Sequence, residues 1–364
     1  VTIDTQGEMI DDTRYQESLK SIYQLKSAHK LIIVAHLGRP SGYDPAMSLK
    51  FLQSRISQDL GQPISFAPSV SSLSEYDHGI VLLENIRFDP REESTDLSMQ
   101  DDLAQELSRY ADIFVNDAFA DYRPSVSTYH INRHLPAYLG PLFVSEIQHL
   151  SHIGQAKRPF VAIIGGSKLS DKLNVVSQLL HDADHVIIGG AMAFTLMQAQ
   201  GIDIGKSLWE PDKITLAHTL LEHYAHKIVL PCDFGVVRNF ENPGNQIQYD
   251  DHIDHDMMCI DIGPKSCDRF AHYIQQAQTI IRNGPLGVCE WLASRMGTHR
   301  IAQAIVDKHD AYRMIGGGDS ITAFHLLGYD HRHVDHICTG GGAMLSLIGD
   351  STFPTLQAIL DNPH

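Results

Sequence analysis

Five apolar runs in the second half of this 364-residue chain end in glycine: "IIGGSK", "IIGGAM", "RNGPLG", "IGGGDS" and "CTGGGAM". Glycine permits positive φ and lets a ligand approach the backbone. A helix that follows such a turn offers unpaired N–H groups and the positive end of its dipole, which suits phosphate. One turn of this kind is an ordinary strand-to-helix connection. Five at successive strand ends, on one rim, make a cradle of nucleotide size. The fullest is "YRMIGGGDSITAFHLLG", residues 312–328, where Gly316, Gly317 and Gly318 lead into Asp319 and Ser320.

In the first half the strand ends carry arginine instead: "DDTR" (Arg14), "AHLGRP" (His36, Arg39), "ENIRF" (Arg87) and "DYRPS" (Arg123). Guanidinium groups clamp phosphate and carboxylate in bidentate fashion. Singly, each reads as a surface or salt-bridge arginine. Together they suggest a pocket for a small, strongly anionic molecule. An anion pocket on one lobe and a nucleotide cradle on the other suit phosphoryl transfer, which must exclude water and bring donor and acceptor in line.

The elements that must position these residues are short, β-branched apolar runs separated by helical patterns. Three runs ("KLIIVAHLG", "GIVLLENI", "ADIFVNDAF") fall before about residue 145. Six follow: "RPFVAIIGG", "DHVIIGG", "HKIVLPCD", "TIIRNGPLG", "AYRMIGGGD" and "VDHICTGGG". Continuous rather than alternating runs suit strands buried on both faces of a parallel sheet. Between them, "SDKLNVVSQLLHDA" places leucine and valine at helical spacing. The alternation predicts an α/β protein of two Rossmann-like domains, each a parallel sheet flanked by helices, with function at the carboxyl ends of strands. "LFVSEIQHLSHIGQAKRPF" is expected to be a connecting helix from roughly residue 144 to 155, with a hinge.

Composition narrows the class. The net charge of −16, with no Lys/Arg-rich run, argues against a non-specific nucleic-acid surface but leaves room for a local basic pocket. Five cysteines without a C-x-x-C pair fit free thiols in a reducing cytoplasm better than a disulfide framework or zinc ribbon. No apolar stretch reaches the ~18–20 residues of a spanning helix. The opening "VTIDTQGEMIDDTR" has no signal-peptide layout, and its first residue is valine rather than methionine, so the sequence need not begin where the gene product does. Two motifs mislead. "GIDIGKS" has three residues between its glycines where a Walker A loop needs four. "DDHIDHDMM" lacks H-E-x-x-H spacing and reads as a solvated acidic loop, despite 22 histidines overall. A Rossmann dehydrogenase is excluded, because no G-x-G-x-x-G follows the first strand with an acidic residue about 20 positions on.

Read together, "DDTRY", "AHLGRP", "VLLENIRFDPREE", "FVNDAFADYRPSVST", "RPFVAIIGGSKLSDKLNVV", "VIIGGAMAFTLMQAQG", "IDIGP", "NGPLGVCEW", "MIGGGDSITA" and "TGGGAMLSLI" closely resemble the phosphoglycerate kinase family, in order and over nearly the whole chain. The resemblance implies reversible transfer of the acyl phosphate of 1,3-bisphosphoglycerate to Mg-ADP, giving 3-phosphoglycerate and ATP, in line and on hinge closure. It implies a glycerate-binding domain at 1–145 completed by 351–364, an interdomain helix at 146–157, and a nucleotide-binding domain at 158–350. Arg14, His36, Arg39, Arg87 and Arg123 match the glycerate ligands. Arg14, Lys168 and Gly318 match the catalytic set, with Lys168 following the transferred group. Gly165, Gly166, Lys168, Lys172, Gly190, Asn283, Glu290, Gly316, Gly317, Gly318, Asp319 and Ser320 match the nucleotide site. Within it Glu290 takes the ribose hydroxyls and Asp319 places Mg2+. A cytoplasmic monomer acting on small molecules, without nucleic acid or membrane, is expected.

The chain also departs from the family pattern. The family opens with a strand reading roughly V-R-V-D-F-N, whose Asp and Asn help bind glycerate. Here the numbering starts after that strand, or the strand is absent. The Arg123 loop is one residue short, with Ser125 at a common histidine position. Ala191 stands for a third glycine, and Arg282 for an apolar residue, often tryptophan. A silent relative that binds nucleotide without turnover is the rival reading; Lys168, Lys172 and Asp319 weigh against it.

Overall fold

The computed structural model describes residues 2–3, 9–240, 247–289, 291–349 and 352–362. The chain divides into two compact units, Val1–Gln148 with Thr352–His364, and His149–Ser351. Among the described residues no helix is long and apolar enough to cross a membrane.

The first unit runs β1 (Thr2–Ile3), β2 (Met9–Asp11), α1 (Thr13–Leu25), β3 (Lys30–Ile33), α2 (Lys50–Leu60), β4 (Ser65–Ala67), β5 (Gly79–Leu83), α3 (Leu97–Ser108), β6 (Phe114–Asn116), β7 (Ala137–Leu139) and α4 (Pro141–Gly154), within which the unit boundary falls. Strands β3, β5 and β4 form a parallel sheet with β5 central, and β6 pairs in parallel with β7. Successive side chains of β5 point to opposite faces, as a strand requires. Ile80 and Leu82 join a core with Leu52, Ile56 and Leu60 of α2. Val81 and Leu83 join another with Leu103, Ala104 and Leu107 of α3. β3 departs from the expectation of a strand buried on both faces. Its four residues are only part-buried, because it hydrogen-bonds to one neighbour among the described residues. Strands β1, β2, β4 and β7 were not expected from the sequence. Helix α4 starts three residues before its expected position, with Pro141 leading and the distant Asp117 carboxylate accepting the Leu142 and Phe143 N–H groups at 2.8 and 3.2 Å.

The second unit continues β8 (Phe160–Ile164), α5 (Leu173–Asp182), β9 (His185–Ile188), α6 (Met192–Ala199), α7 (Ile214–Tyr224), β10 (Ile228–Val229), β11 (Phe234–Val237), β12 (Gln248–Asp250), β13 (Met258–Ile262), α8 (Pro264–Gln276), β14 (Thr279–Asn283), α9 (Met296–Asp307), β15 (Tyr312–Gly316), α10 (Gly318–Leu326), β16 (His336–Cys338) and α11 (Gly341–Ile348). The chain returns to the first unit for α12 (Pro354–Leu360), where Phe353 stacks on Phe119 with centroids 5.7 Å apart. Six parallel strands lie in the order β10-β9-β8-β14-β15-β16. The chain builds outward from β8 in one direction and from β14 in the other. The β8/β14 pair is therefore the switch point at which doubly wound sheets bind ligands.

An unexpected three-stranded antiparallel sheet, β12-β11-β13, is inserted between β10 and β14. Both misleading motifs border it. The Lys206 N–H of "GIDIGKS" donates to the Met257 carbonyl at 2.7 Å, and Ser207 Oγ accepts from Cys259 N–H at 2.9 Å, so that loop is structural. Residues 250–258 bring no three potential metal-ligand atoms together among those described.

One side chain in this sheet conflicts with its surroundings. Arg282 of β14, in register between Ile163 and Ile315, is 0% exposed, and none of its guanidinium nitrogens has a hydrogen-bond partner. Burial pushes its pKa down to about 10, which still leaves it charged at neutral pH. An uncompensated buried charge costs several kcal/mol. Arg282→Met is therefore expected to raise unfolding stability by at least about 1 kcal/mol, measured by urea denaturation at neutral pH. A lowered midpoint would mean the guanidinium has a compensating partner.

Candidate active site

The glycines at the β8/β14 switch point first serve the backbone. Gly165 N–H donates to the Asn283 carbonyl at 2.9 Å. A Cβ on Gly165 would meet the Pro285 carbonyl oxygen at 2.0 Å, and one on Gly284 (φ +96°) would meet the Gly165 oxygen at 2.0 Å. Neither position admits a side chain. Gly190 lies against the same turn, where a Cβ would fall 2.6 Å from the Gly166 oxygen. Gly316, ending β15, abuts Met344. Gly318 is different: a Cβ there would meet nothing within 4 Å, so its backbone faces open space at the start of α10.

Lys172 bridges the switch point. Its Nζ donates to Gly165 O at 2.7 Å, Asn283 Oδ1 at 2.7 Å and Asn283 O at 3.3 Å. That contact orients the amide, because an ammonium can only donate. Asn283 Nδ2 is consequently turned toward Gly317, where it is buried and has no acceptor. An orphaned buried donor marks a place for a ligand oxygen or water. Around it, the first turn of α10 supplies backbone N–H groups, and Ser320 Oγ accepts the Gly284 N–H. Asp319 is exposed in that same turn and acts on Lys172 electrostatically. Burial pushes Lys172 down to about 8, with Asp319 and Asp171 holding it up. Lys168 is exposed in the loop after Gly166 and makes no hydrogen bond or ion pair among the described residues. That loop is fastened by Glu210, which accepts the Ser170 N–H at 3.0 Å and its hydroxyl. Glu290 lies outside the described residues.

In the first unit, Glu84 and Asn85 at the end of β5 organise the loops that carry the arginines expected to bind an anion. The Glu84 carboxylate accepts Leu49 N–H, Asn85 N–H and Ser48 Oγ–H at 2.8, 2.7 and 2.6 Å. Asn85 Nδ2 donates to the Leu37 and Met47 carbonyls at 2.8 and 2.9 Å. This holds the loop that carries His36 and Arg39. Arg87 Nη1 donates to Gly38 O at 2.8 Å, while its Nε pairs with Glu93 at 3.0 Å. His36 and Arg87 meet at Asp121, 3.7 and 4.0 Å away. Burial, then Arg87, push His36 down to about 4, so it is neutral at neutral pH, although a third of its side chain stays open to water. Arg14, exposed near the start of α1, adds to that depression. Arg123 is exposed over the Tyr122 ring, near Asp121. Arg39 is exposed beside a hollow of about 390 Å³ formed by residues 39–47. Glu84, Asn85, Asp121 and Glu210 escaped the reading of the sequence. The first two had one signal, a polar pair directly after an apolar run.

The family model for phosphoglycerate kinase matches residues 1–350. The chain belongs to this family. It is 38% identical over 370 residues to the phosphoglycerate kinase of Corynebacterium urealyticum, covering 97% of this chain and 92% of the relative. With that of Synechococcus sp. (strain JA-3-3Ab) it shares 40% over 386 residues, covering 99% and 92%. Solved phosphoglycerate kinases from Coxiella burnetii and Pyrococcus horikoshii superpose with TM-scores of 0.84 and 0.85 at 29% and 26% identity. They cover 100% and 99% of this chain, and 94% of each neighbour. The reaction of the phosphoglycerate kinase family is reversible phosphoryl transfer between 1,3-bisphosphoglycerate and ADP, giving 3-phosphoglycerate and ATP. The chain is an enzyme of that reaction, with the nucleotide as substrate.

Lys172 gives a linked proton to measure. The free ammonium loses its proton through about pH 8, and a bound polyphosphate beside it favours the charged form. ADP binding above that pH should therefore take up a proton, and affinity should fall as pH rises. Calorimetry at about pH 8.5 in buffers of different ionisation heat measures the uptake. Lys172→Met should abolish it; equal uptake in that variant would put the phosphates elsewhere.

Proposed function

We propose that the two units divide the family reaction, with Arg14, His36, Arg39, Arg87 and Arg123 holding the glycerate substrate and the β8/β14 switch point holding the nucleotide. Gly165, Gly166 and Gly190 border the adenosine. Lys172, Asn283, Gly316, Gly317, Gly318 and Ser320 border its phosphates, and Glu290 takes the ribose. The observation that carries this reading is the buried Asn283 Nδ2, an orphaned donor beside Lys172 and the open first turn of α10. Asp319 fits a Mg2+ ligand, since it is an exposed carboxylate next to the phosphate cradle and Mg2+ favours one or two carboxylates plus substrate phosphates. When bound, the ion neutralises charge across those phosphates.

The chemistry asks little else of the protein. Transfer through a loose transition state spreads charge over the equatorial oxygens, so placed cations and N–H donors supply most of the catalysis. No general base is required, because the attacking oxygen is already a carboxylate or a nucleotide phosphate. Lys168, exposed and unpartnered among the described residues, is the cation able to follow the moving group, and Arg14 is the cation of the first unit assigned to catalysis. We place the protein in the cytoplasm as a monomer acting on small molecules.

Lys168→Ala should keep the fold and reduce turnover by on the order of 10²–10³-fold in a coupled assay with ATP, Mg2+ and 3-phosphoglycerate. Near-native turnover would remove Lys168 from the phosphate path. In the same assay Arg39→Ala should raise the KM for 3-phosphoglycerate with little change in that for ATP. An unchanged glycerate KM would take Arg39 out of the pocket.

A further inference from the structure

The anion pocket of the first unit contains an anion of its own. Asp121 Oδ2 is 3.7 Å from His36 Nδ1, and Oδ1 is 4.0 Å from Arg87 Nη2. Both separations exceed hydrogen-bonding distance. The carboxylate thus sits in the field of these groups without being fixed by either, and only 18% of the side chain is exposed. Burial raises its pKa, and Arg87 and then Arg123, two residues on, work against that rise in favour of the charged form.

Other acidic side chains of this unit show what a structural carboxylate looks like. Glu84 accepts two backbone N–H groups, and so does Asp117. Glu92 accepts the Ser127 N–H at 3.0 Å and its hydroxyl at 2.5 Å. No such bond from Asp121 is found among the described residues. Its turn is secured without the carboxylate, by Asp121 N–H to Ala118 O at 2.9 Å, Ala118 N–H to Asn116 Oδ1 at 3.0 Å, and the fully buried Phe119. No hydrogen bond found among the described residues uses this charge, and burying it costs free energy. What it faces are groups already assigned to an anionic substrate.

We propose that Asp121 is an internal counter-anion and a specificity determinant: its carboxylate holds the place of one anionic oxygen of the glycerate substrate and is displaced when that substrate binds. This rests on the reading of His36, Arg87 and Arg123 as the glycerate pocket. A competitor built into the site lowers affinity for every anion. The loss falls hardest on a small one, such as inorganic phosphate, which engages few of the cations. A ligand with phosphate and carboxylate at its two ends recovers the loss through the remaining arginines.

The test compares the wild-type enzyme with Asp121→Asn and Asp121→Ala at fixed ionic strength. The readouts are Kd and KM for 3-phosphoglycerate and the inhibition constant for inorganic phosphate. Alanine is included because asparagine could donate a new hydrogen bond to the ligand. Both variants should bind 3-phosphoglycerate roughly 3- to 30-fold more tightly, the effect of removing one like charge at the edge of a solvated pocket. Inhibition by phosphate should strengthen by a larger factor. Weaker 3-phosphoglycerate binding in both variants would make Asp121 a positioning group or a direct acceptor, and unchanged constants would make it a bystander; either result overturns the proposal. Arg87→Met separates failure of the pocket itself. If that change leaves the 3-phosphoglycerate constants untouched, the glycerate reading falls whatever Asp121 does.

Discussion

The proposed nucleotide site depends on two parallel strand ends, β8 and β14, coming close enough for one lysine to bridge them. Without side chains at Gly165 and Gly284, the backbones sit where any Cβ would overlap a carbonyl oxygen. Lys172 reaches over the join, and its three ammonium protons face three acceptors. All of its hydrogen-bonding capacity is then spent inside the protein. In the proposed site it acts on an anion through its field and through the orientation it imposes on Asn283, rather than through a spare N–H. Lys168 has the complementary character, exposed and uncommitted among the described residues. One lysine builds the cradle and the other is left to respond to what enters it.

The first unit solves the same problem with different materials. Instead of bare backbone amides it presents guanidinium groups, which are long and must be held. The buried Glu84 carboxylate and the Asn85 amide do this, tying the loop around Leu37, Met47 and Leu49 to the end of β5 and so fixing where Arg87 can reach. A buried carboxylate surrounded by three donors is a stiff anchor, because each lost bond would leave a charge under-solvated. The proposed sites of both units lie at the carboxyl ends of parallel strands. One relies on residues that lack side chains, the other on side chains under restraint.

Much of this was legible in the sequence, and the limits have physical causes. The nine apolar runs all became parallel strands, and in the second unit the reason is that a strand covered on both faces has to be apolar throughout. The glycine turns were visible as motifs, but their double role was not. Whether a glycine serves a ligand or a neighbouring backbone depends on what lies opposite it, and Gly165 and Gly318 differ only in that. Strings that look chemical proved structural. Asp261 of "IDIGP" accepts the Ile262 and Gly297 N–H groups at 2.9 Å each, and Asp117 of "NDAF" caps α4. The antiparallel insertion β11–β13 was missed because its strands, FGVV, QYD and MCIDI, are polar or interrupted by Gly235 and Asp261, so no continuous apolar run appears. Asp121 was missed for another reason. A single acid in a loop has no pattern, and only its distance to His36 and Arg87 gives it meaning.

An acidic protein that handles acidic substrates presents an apparent conflict, which local structure resolves. A net charge of −16 is spread over a surface where solvent and salt screen it within about 10 Å. The proposed sites work at shorter range. Several of their cations already lie close to a carboxylate, Arg87 with Glu93 and Asp121, and Lys172 near Asp319 and Asp171. A ligand arriving there exchanges one anionic neighbour for another instead of neutralising a bare charge. Affinity then reflects the difference between two anions competing for the same cation, which is smaller and less salt-dependent than either attraction alone. Such an arrangement suits an enzyme whose substrates and products are all highly charged, because release must be as easy as capture when the reaction runs in both directions.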